Sequence, residues 1–404
     1  MEEIRDYIKN LSIIDGHEHL LYPNIRKREK TGFFGLLHYF ESDMVSSGLD
    51  VLLSDNAMSK SEKYDIFLRY FENTSNTTYA KLIPLFAKEL YGIDKIDRTT
   101  LPELDRMVEE CSQHDGWYKE VLVERANIEQ AIVVDDGSFD FPDFLKPMVY
   151  LDFLMRADHI KLVNQKRAEQ GKKEYGFSDY VEYVDDYCQK CIDHGIVAAK
   201  FGIPYWRDLN LHDYIFEEAK GEFDICSDRM FNFENYIFNR IINIMERHDI
   251  PVQIHTGHVE PSACVGPYSV TNGRVSDLIP VLFAHKDAAF VLLHGGFPYQ
   301  EEYLSMVKNI PNAIADFSWI YIISPSKAAR MLSDAIEMIP RNKIIGFGGD
   351  FMHVENTFAH AIVARETVSR VLEEKIKDGY FDIGEAKRFA DMIFRENPKR
   401  IYNI

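Results

Sequence analysis

The chain has 404 residues and a formal net charge of −19, which disfavours a nucleic-acid partner because phosphate binding needs clustered lysine and arginine and the sequence shows no such cluster. Its length exceeds one ordinary core yet suits a single barrel domain carrying an insertion, and its apolar runs fall short of the roughly 18 residues of a membrane-spanning helix. Five cysteines are too few for a disulfide framework in a chain this long.

The opening Met1-Glu2-Glu3-Ile4-Arg5-Asp6 has neither the basic flank nor the apolar stretch of a secretory leader, so a cytoplasmic location is expected. The run Ile13-Ile14-Asp15-Gly16-His17-Glu18-His19 reads as the first strand. Side chains alternate along a strand, so His17 and His19 share a face and can grip one ion together. For about a hundred residues no strand pattern follows. Helical patterns such as Ser61 to Phe71 and Leu101 to Glu110 succeed one another instead, which reads as a helical insertion over residues 22–122.

Ile128 to Asp136 then reads as a second strand and Pro147 to Asp152 as a weaker third. Tyr180 to Gly195 has helical spacing, and no second cysteine pair follows at finger spacing, so Cys188 and Cys191 are expected as buried helix cysteines rather than a zinc or redox pair. Beyond this point apolar runs alternate with helical stretches, as parallel strands require: Ile196 to Phe201, Pro251 to His255, Ala289 to His294, Ala313 to Phe317 and Lys343 to Phe347. Eight strands result. The expected fold is α/β, a distorted (β/α)8 barrel spanning 1–404 as one domain.

Residues able to bind metal recur at the strand ends: His17 and His19 on strand one, Lys200 on strand four, His255 on five, His294 on six and Asp350 after eight. In barrels that end is the catalytic face. Each residue has a plainer reading, as a hydrogen-bonded core histidine or, for Asp350, as a helix cap. Gly348-Gly349 before Asp350 allows close backbone approach, which favours a ligand and proton-transfer role. Lys200 places an amine in an apolar strand, where lysine is rarely buried without a partner. Desolvation and nearby cations lower its pKa and leave a neutral amine able to react with carbon dioxide. His258 and His353 read as loop histidines near the site. Arg156, Tyr205, Arg207 and Trp319 follow strand ends and are candidates to line a substrate pocket, where an arginine fork suits a carboxylate; solvated surface is the competing reading for Arg207.

The ordered set resembles that of the amidohydrolase superfamily. Ile254-His255-Thr256-Gly257, Leu292 to Tyr299, Ala315 to Trp319 and Gly348-Gly349-Asp350 are similar to its amidohydrolase-2 branch. That branch holds hydrolases related to the N-terminal half of nodulin/glutamine-synthetase fusion proteins, with aminocarboxymuconate-semialdehyde decarboxylase and uronate isomerase as relatives. The similarity runs from residue 11 to Tyr402, leaving out the insertion. It implies a divalent metal, zinc first, as one or two ions. His17 and His19 would hold the more buried ion. In two-metal relatives the lysine at the position of Lys200 is N6-carboxylated and bridges the ions, with His255 and His294 on the second. In one-metal relatives His255 stays a ligand and His294 orients substrate. Asp350 would be ligand and proton carrier.

The activity so implied is cleavage of an amide, ester or lactone bond of a small carboxylate-bearing substrate by metal-activated water. Decarboxylation or uronate-type isomerisation on one metal is the alternative, with Lys200 as the discriminating residue. A non-catalytic metal-binding barrel ranks below both, because no ligand is missing. The expected partner is a small molecule, neither nucleic acid nor membrane, and a homo-oligomer is in keeping with the relatives.

Overall fold

The computed structural model describes residues 2–51, 53, 58–135, 142–260 and 269–404. Eight strands, β1 Ile13–Glu18, β2 Ile128–Asp135, β3 Leu145–Tyr150, β4 Ala198–Phe201, β5 Val252–His255, β6 Phe290–Leu293, β7 Ala313–Asp316 and β8 Ile344–Ile345, pair in sequence order. Every pair is parallel. All residues of β4 to β7 are buried, as expected of strands covered on both faces, which read as apolar runs rather than alternations.

The sheet closes through a seam between β1 and the chain after β8. Gly16 N–H donates to Phe347 O at 3.0 Å, Asp350 N–H to His17 O at 2.9 Å and His19 N–H to Phe351 O at 3.2 Å. Ile132, Met148, Ala198, Val291, Ile314 and Ile345 come from six strands and still meet in one buried cluster, which a closed barrel allows. The distortion lies in β1, whose register against β2 slips between Ile13 and Ile14 and again between Asp15 and Glu18. The arrangement is the (β/α)8 barrel that the sequence predicts.

Between β1 and β2 the chain is helical: Pro23–Glu29, Tyr39–Ser46, Lys60–Thr74, Thr78–Tyr91 and Leu101–Ser112. Ser59 and Glu62 close a capping box at the start of Lys60–Thr74, satisfying amides that a helix N-terminus leaves bare. One buried carboxylate ties this insertion to the barrel. Glu355, in the first turn of the helix Val354–Lys377 after β8, accepts from Arg26 Nη1 at 2.8 Å and Nη2 at 2.6 Å. It also accepts from Tyr91 Oη at 2.7 Å and Trp117 Nε1 at 2.8 Å. Glu355 is fully buried, and a charge there persists because it is paired and hydrogen-bonded.

Cys188 and Cys191 are buried free thiols on the helix Phe177–Asp193, as their spacing predicts. No described helix is long and apolar enough to cross a membrane.

Candidate metal centre

β1 carries His17 and His19 to the same side, and the closing seam delivers Asp350 opposite them. Asp350 Oδ1 lies 3.3 Å from His17 Nε2 and 3.5 Å from His19 Nε2, and its Oδ2 lies 3.7 Å from His294 Nδ1. One ligand atom from each of His17, His19 and Asp350 falls within 4.8 Å of the others, a spacing that suits one ion. The seam can close this tightly because of two glycines. A Cβ on Gly348 would sit 1.9 Å from Ser318 Oγ, and one on Gly349 would sit 1.9 Å from Glu18 Oε1.

His17 is held by Gln253, a residue the sequence reading passed over. Gln253 Nε2 donates to Gly16 O and to Tyr402 Oη, both at 2.8 Å, so its Oε1 is the atom 2.7 Å from His17 Nδ1. That contact requires the proton on Nδ1 and leaves the lone pair on Nε2, facing Asp350. A signal for it existed. Gln253 lies two residues before His255 in a short apolar strand, so both face the barrel interior.

His255 and His294 complete the inner wall. His255 Nε2 donates to His258 O at 2.7 Å, and His294 Nδ1 is directed at Ser318 O at 3.3 Å. Each ring therefore turns its bare nitrogen to the other, His294 Nε2 against His255 Nδ1 at 3.0 Å. Two lone pairs at that distance, and a bare imidazole nitrogen against a carboxylate, are an arrangement that a cation relieves. Lys200 is 2% exposed. Its Nζ stands 3.3 Å from His17 Nε2.

The electrostatics agree with the donor geometry. Burial lowers every imidazole of the group, His19 and His255 to about 3, His17 with help from Lys200, and His294 well below its ordinary value with help from His255. Burial alone would raise Asp350, but the imidazoles of His17, His294 and His19 gathered around it hold it well below the carboxylate range. Neutral imidazoles and an ionised carboxylate are the protonation states a divalent cation needs. Burial brings Lys200 down to about 8, against the pull of Asp350, Asp152 and Asp316, so a share of the amine is neutral near pH 7.

The backbone is strained where these groups sit. His294, Trp319 and Asp350 have φ of 68°, 65° and 58°, a region that costs non-glycine residues about 1–3 kcal/mol each and that gathers at functional sites.

Trp319 is fully buried and packs edge-on against His294, ring centres 5.2 Å apart. It belongs to a continuous near-parallel stack. Tyr79 lies on Tyr39 at 5.5 Å, Tyr39 on Trp319 at 5.0 Å, and Trp319 on His258 at 5.5 Å. Tyr39 and Tyr79 come from the insertion, where no periodic pattern marks them. The Tyr39 hydroxyl reaches Asp350, and burial together with that carboxylate holds it protonated, well above its ordinary value. His38 beside it, lowered to about 4 by burial, also feels Asp350.

The Tyr205 ring meets that of His255 at a steep angle, centres 4.9 Å apart, while Tyr205 stays 43% exposed, so it borders the opening. Arg156 stands on the rim, paired with exposed Asp158 at 3.1 Å and above the Trp206 ring. Arg207 is buried, with Nη1 on Glu234 at 2.6 Å and Nη2 on Asn210 O at 2.9 Å. His353 is buried against the insertion and lowered to about 3 by burial and by Arg26.

Residues 181–404, more than half of the chain, match the family model described as amidohydrolase. Protein fluG of Emericella nidulans is 22% identical over 157 residues, 38% of this chain; the matched part is 17% of that protein's length. Among solved structures, a uronate isomerase from Thermotoga maritima superposes with a TM-score of 0.82 at 15% identity, over 99% of this chain and 96% of its own. A glucuronate isomerase from Caulobacter crescentus gives 0.79 at 16% identity, over 99% and 93%. A metal-dependent hydrolase, so described, from Lactobacillus casei gives 0.70 at 15%, over 99% and 97%. These likenesses carry the barrel and its whole-chain path, insertion included. The family match covers the strand ends bearing Lys200, His255, His294 and Asp350, and the chain belongs to the amidohydrolase family.

Proposed function

We propose that this protein is a metal-dependent hydrolase that cleaves an amide, ester or lactone bond of a small carboxylate-bearing molecule. The observation that carries the reading is Asp350, an ionised carboxylate set 3.3 and 3.5 Å from two histidine nitrogens. His17, His19 and Asp350 would hold a divalent ion, zinc by the nitrogen and oxygen character of the donors. When bound, such an ion supplies a water of lowered pKa and polarises the bond to be cleaved.

The chain's own groups do the rest. With Oδ1 of Asp350 turned to His17 and His19, Oδ2 is left to take the proton of the attacking water and return it to the leaving group. Gln253 keeps His17 in the one tautomer that binds metal. Trp319, Tyr39 and Tyr205 wall the site and shed water from it. Arg156, whose present pair is exposed and worth little, is free to turn to a substrate carboxylate, whereas Arg207 would have to leave Glu234. Lys200, carboxylated on Nζ, would add an anionic donor beside His17, and the site would then accept a second ion on His255 and His294.

The whole-chain likeness to two uronate isomerases favours a second reading, interconversion of a uronate and its keto sugar on one ion. Metal per chain, carbon-13 NMR after exposure to labelled carbon dioxide, and a panel of N-acyl amino acids, γ-glutamyl amides, lactones and uronates separate the two. Hydrolysis of a panel member, abolished with the metal in His17→Ala and His19→Ala, supports the first. Conversion of a uronate with no hydrolysis of the others overturns it.

A further inference from the structure

A cavity of about 750 Å3 lies outside the barrel, among the helices that cover it. Its lining comes from the helices Glu2–Lys9, Thr78–Tyr91 and Val354–Lys377 and from Arg125 and Ala126 before β2. None of the metal-centre residues lines it. Its inner wall is the helix Val354–Lys377, and the side chain that stands out is Arg365. Arg365 is 7% exposed. Nη2 donates to Leu11 O at 2.7 Å, while Nε has no partner among the described residues. Among the described residues no carboxylate offsets its burial, which draws the guanidinium down to about 10. An uncompensated buried cation is unfavourable, and buried charges normally have a counter-charge.

The surroundings add positive charge. Arg5, Lys9, Arg125 and Arg370 line the cavity with Arg365, against the carboxylates of Glu89 and Glu366. Arg5 and Arg125 answer to Glu373 and Glu120, which lie outside the lining. On a chain of net charge −19 such a local excess of cations runs against the average surface. Part of the wall is apolar, from Leu85, Phe358 and Ile362. We propose that this cavity binds a small amphipathic anion, its phosphate or carboxylate head on Arg365 and its apolar body against Leu85 and Phe358. A guanidinium fork accepts either head, and a cavity of this size holds a small organic molecule.

Calorimetric titration of the metal-loaded protein with octyl phosphate, octanoate and inorganic phosphate tests the site. One octyl phosphate or octanoate per chain is expected, tighter than inorganic phosphate and weakened by salt. Arg365→Met should weaken that binding by roughly tenfold or more, as loss of a charged hydrogen bond does, without lowering Tm, because an unpaired buried charge is removed. Should Arg365→Met fail to fold, Lys9→Ala combined with Arg370→Ala decides, since both side chains are exposed. That variant should lose several-fold in affinity with metal content unchanged. No binding of either octyl probe, or equal affinity in this variant and the parent, overturns the proposal and places any bound anion elsewhere.

Discussion

Gln253→Leu removes the acceptor of His17 Nδ1–H while nearly keeping volume, and it isolates the role of an amide that touches no substrate. Three contacts of 2.7 to 2.8 Å vanish together. The His17 ring N–H and the Gly16 carbonyl are left buried without water, at about 1–3 kcal/mol each, so unfolding free energy should fall by roughly 2–6 kcal/mol. The metal should suffer separately. Without Gln253 the His17 ring can take its other tautomer or rotate, and loss of such a support weakens metal binding by about 10–100-fold. Competition with a fluorescent chelator reads the affinity, and urea unfolding of the metal-free protein reads the stability. Lowered stability with unchanged metal affinity would refute the orienting role and leave Gln253 as packing alone.

Asp350→Asn keeps an oxygen donor but loses the proton carrier, so kcat should drop by about 10^2–10^4 with little change in KM; an unchanged turnover rate rejects the role. Tyr39→Phe should lower kcat/KM by roughly tenfold, as expected for losing a hydrogen bond to a charged group, with full metal occupancy; metal loss would mark the phenol as structural. Acid should release the insertion. Burial would raise Glu355, yet Arg26 holds it at about 2 against 4.5 unfolded, so its contribution is fully present above pH 4.5 and is lost as pH falls through about 2. The shift corresponds to roughly 3 kcal/mol. Glu355→Gln should flatten that acid limb, read from Trp117 fluorescence because the indole donates to the same carboxylate.

Much of this was written in local pattern. The His17 and His19 spacing fixes a shared face, and both rings do address one oxygen of Asp350. Strand ends were less legible. Lys343 to Phe347 has the composition of a strand, but Phe347 O turns to Gly16 to close the barrel and Gly346 N–H goes to Ile393 O, so the ladder stops at Ile345. Arg207 shows why residue type alone misleads. Its fork is met by Glu234, a residue on the helix Phe231–Arg247 that no spacing rule connects to it. Tyr39 and Tyr79 could not be found at all, since aromatic side chains in a helical insertion look like core until the fold stacks them on Trp319.

The insertion is thereby more than an appendage to a finished site. The helix Val354–Lys377 begins four residues after Asp350, and its first turn faces two ways. Thr357 Oγ1 donates to Glu18 Oε1 at 2.6 Å, fixing the residue between the two histidines, while Glu355 gathers Arg26, Tyr91 and Trp117 from the insertion. One helical turn thus ties the insertion to the strand that carries the two histidines, and the Tyr79 and Tyr39 rings stack in series on Trp319. Specificity in such barrels comes from the loops above the strand ends. Here a helical insertion brings Tyr39, Tyr79 and His38 to the metal centre, so substitutions at these three are expected to change substrate preference while metal content stays the same, and a panel of substrates assayed alongside metal content checks it.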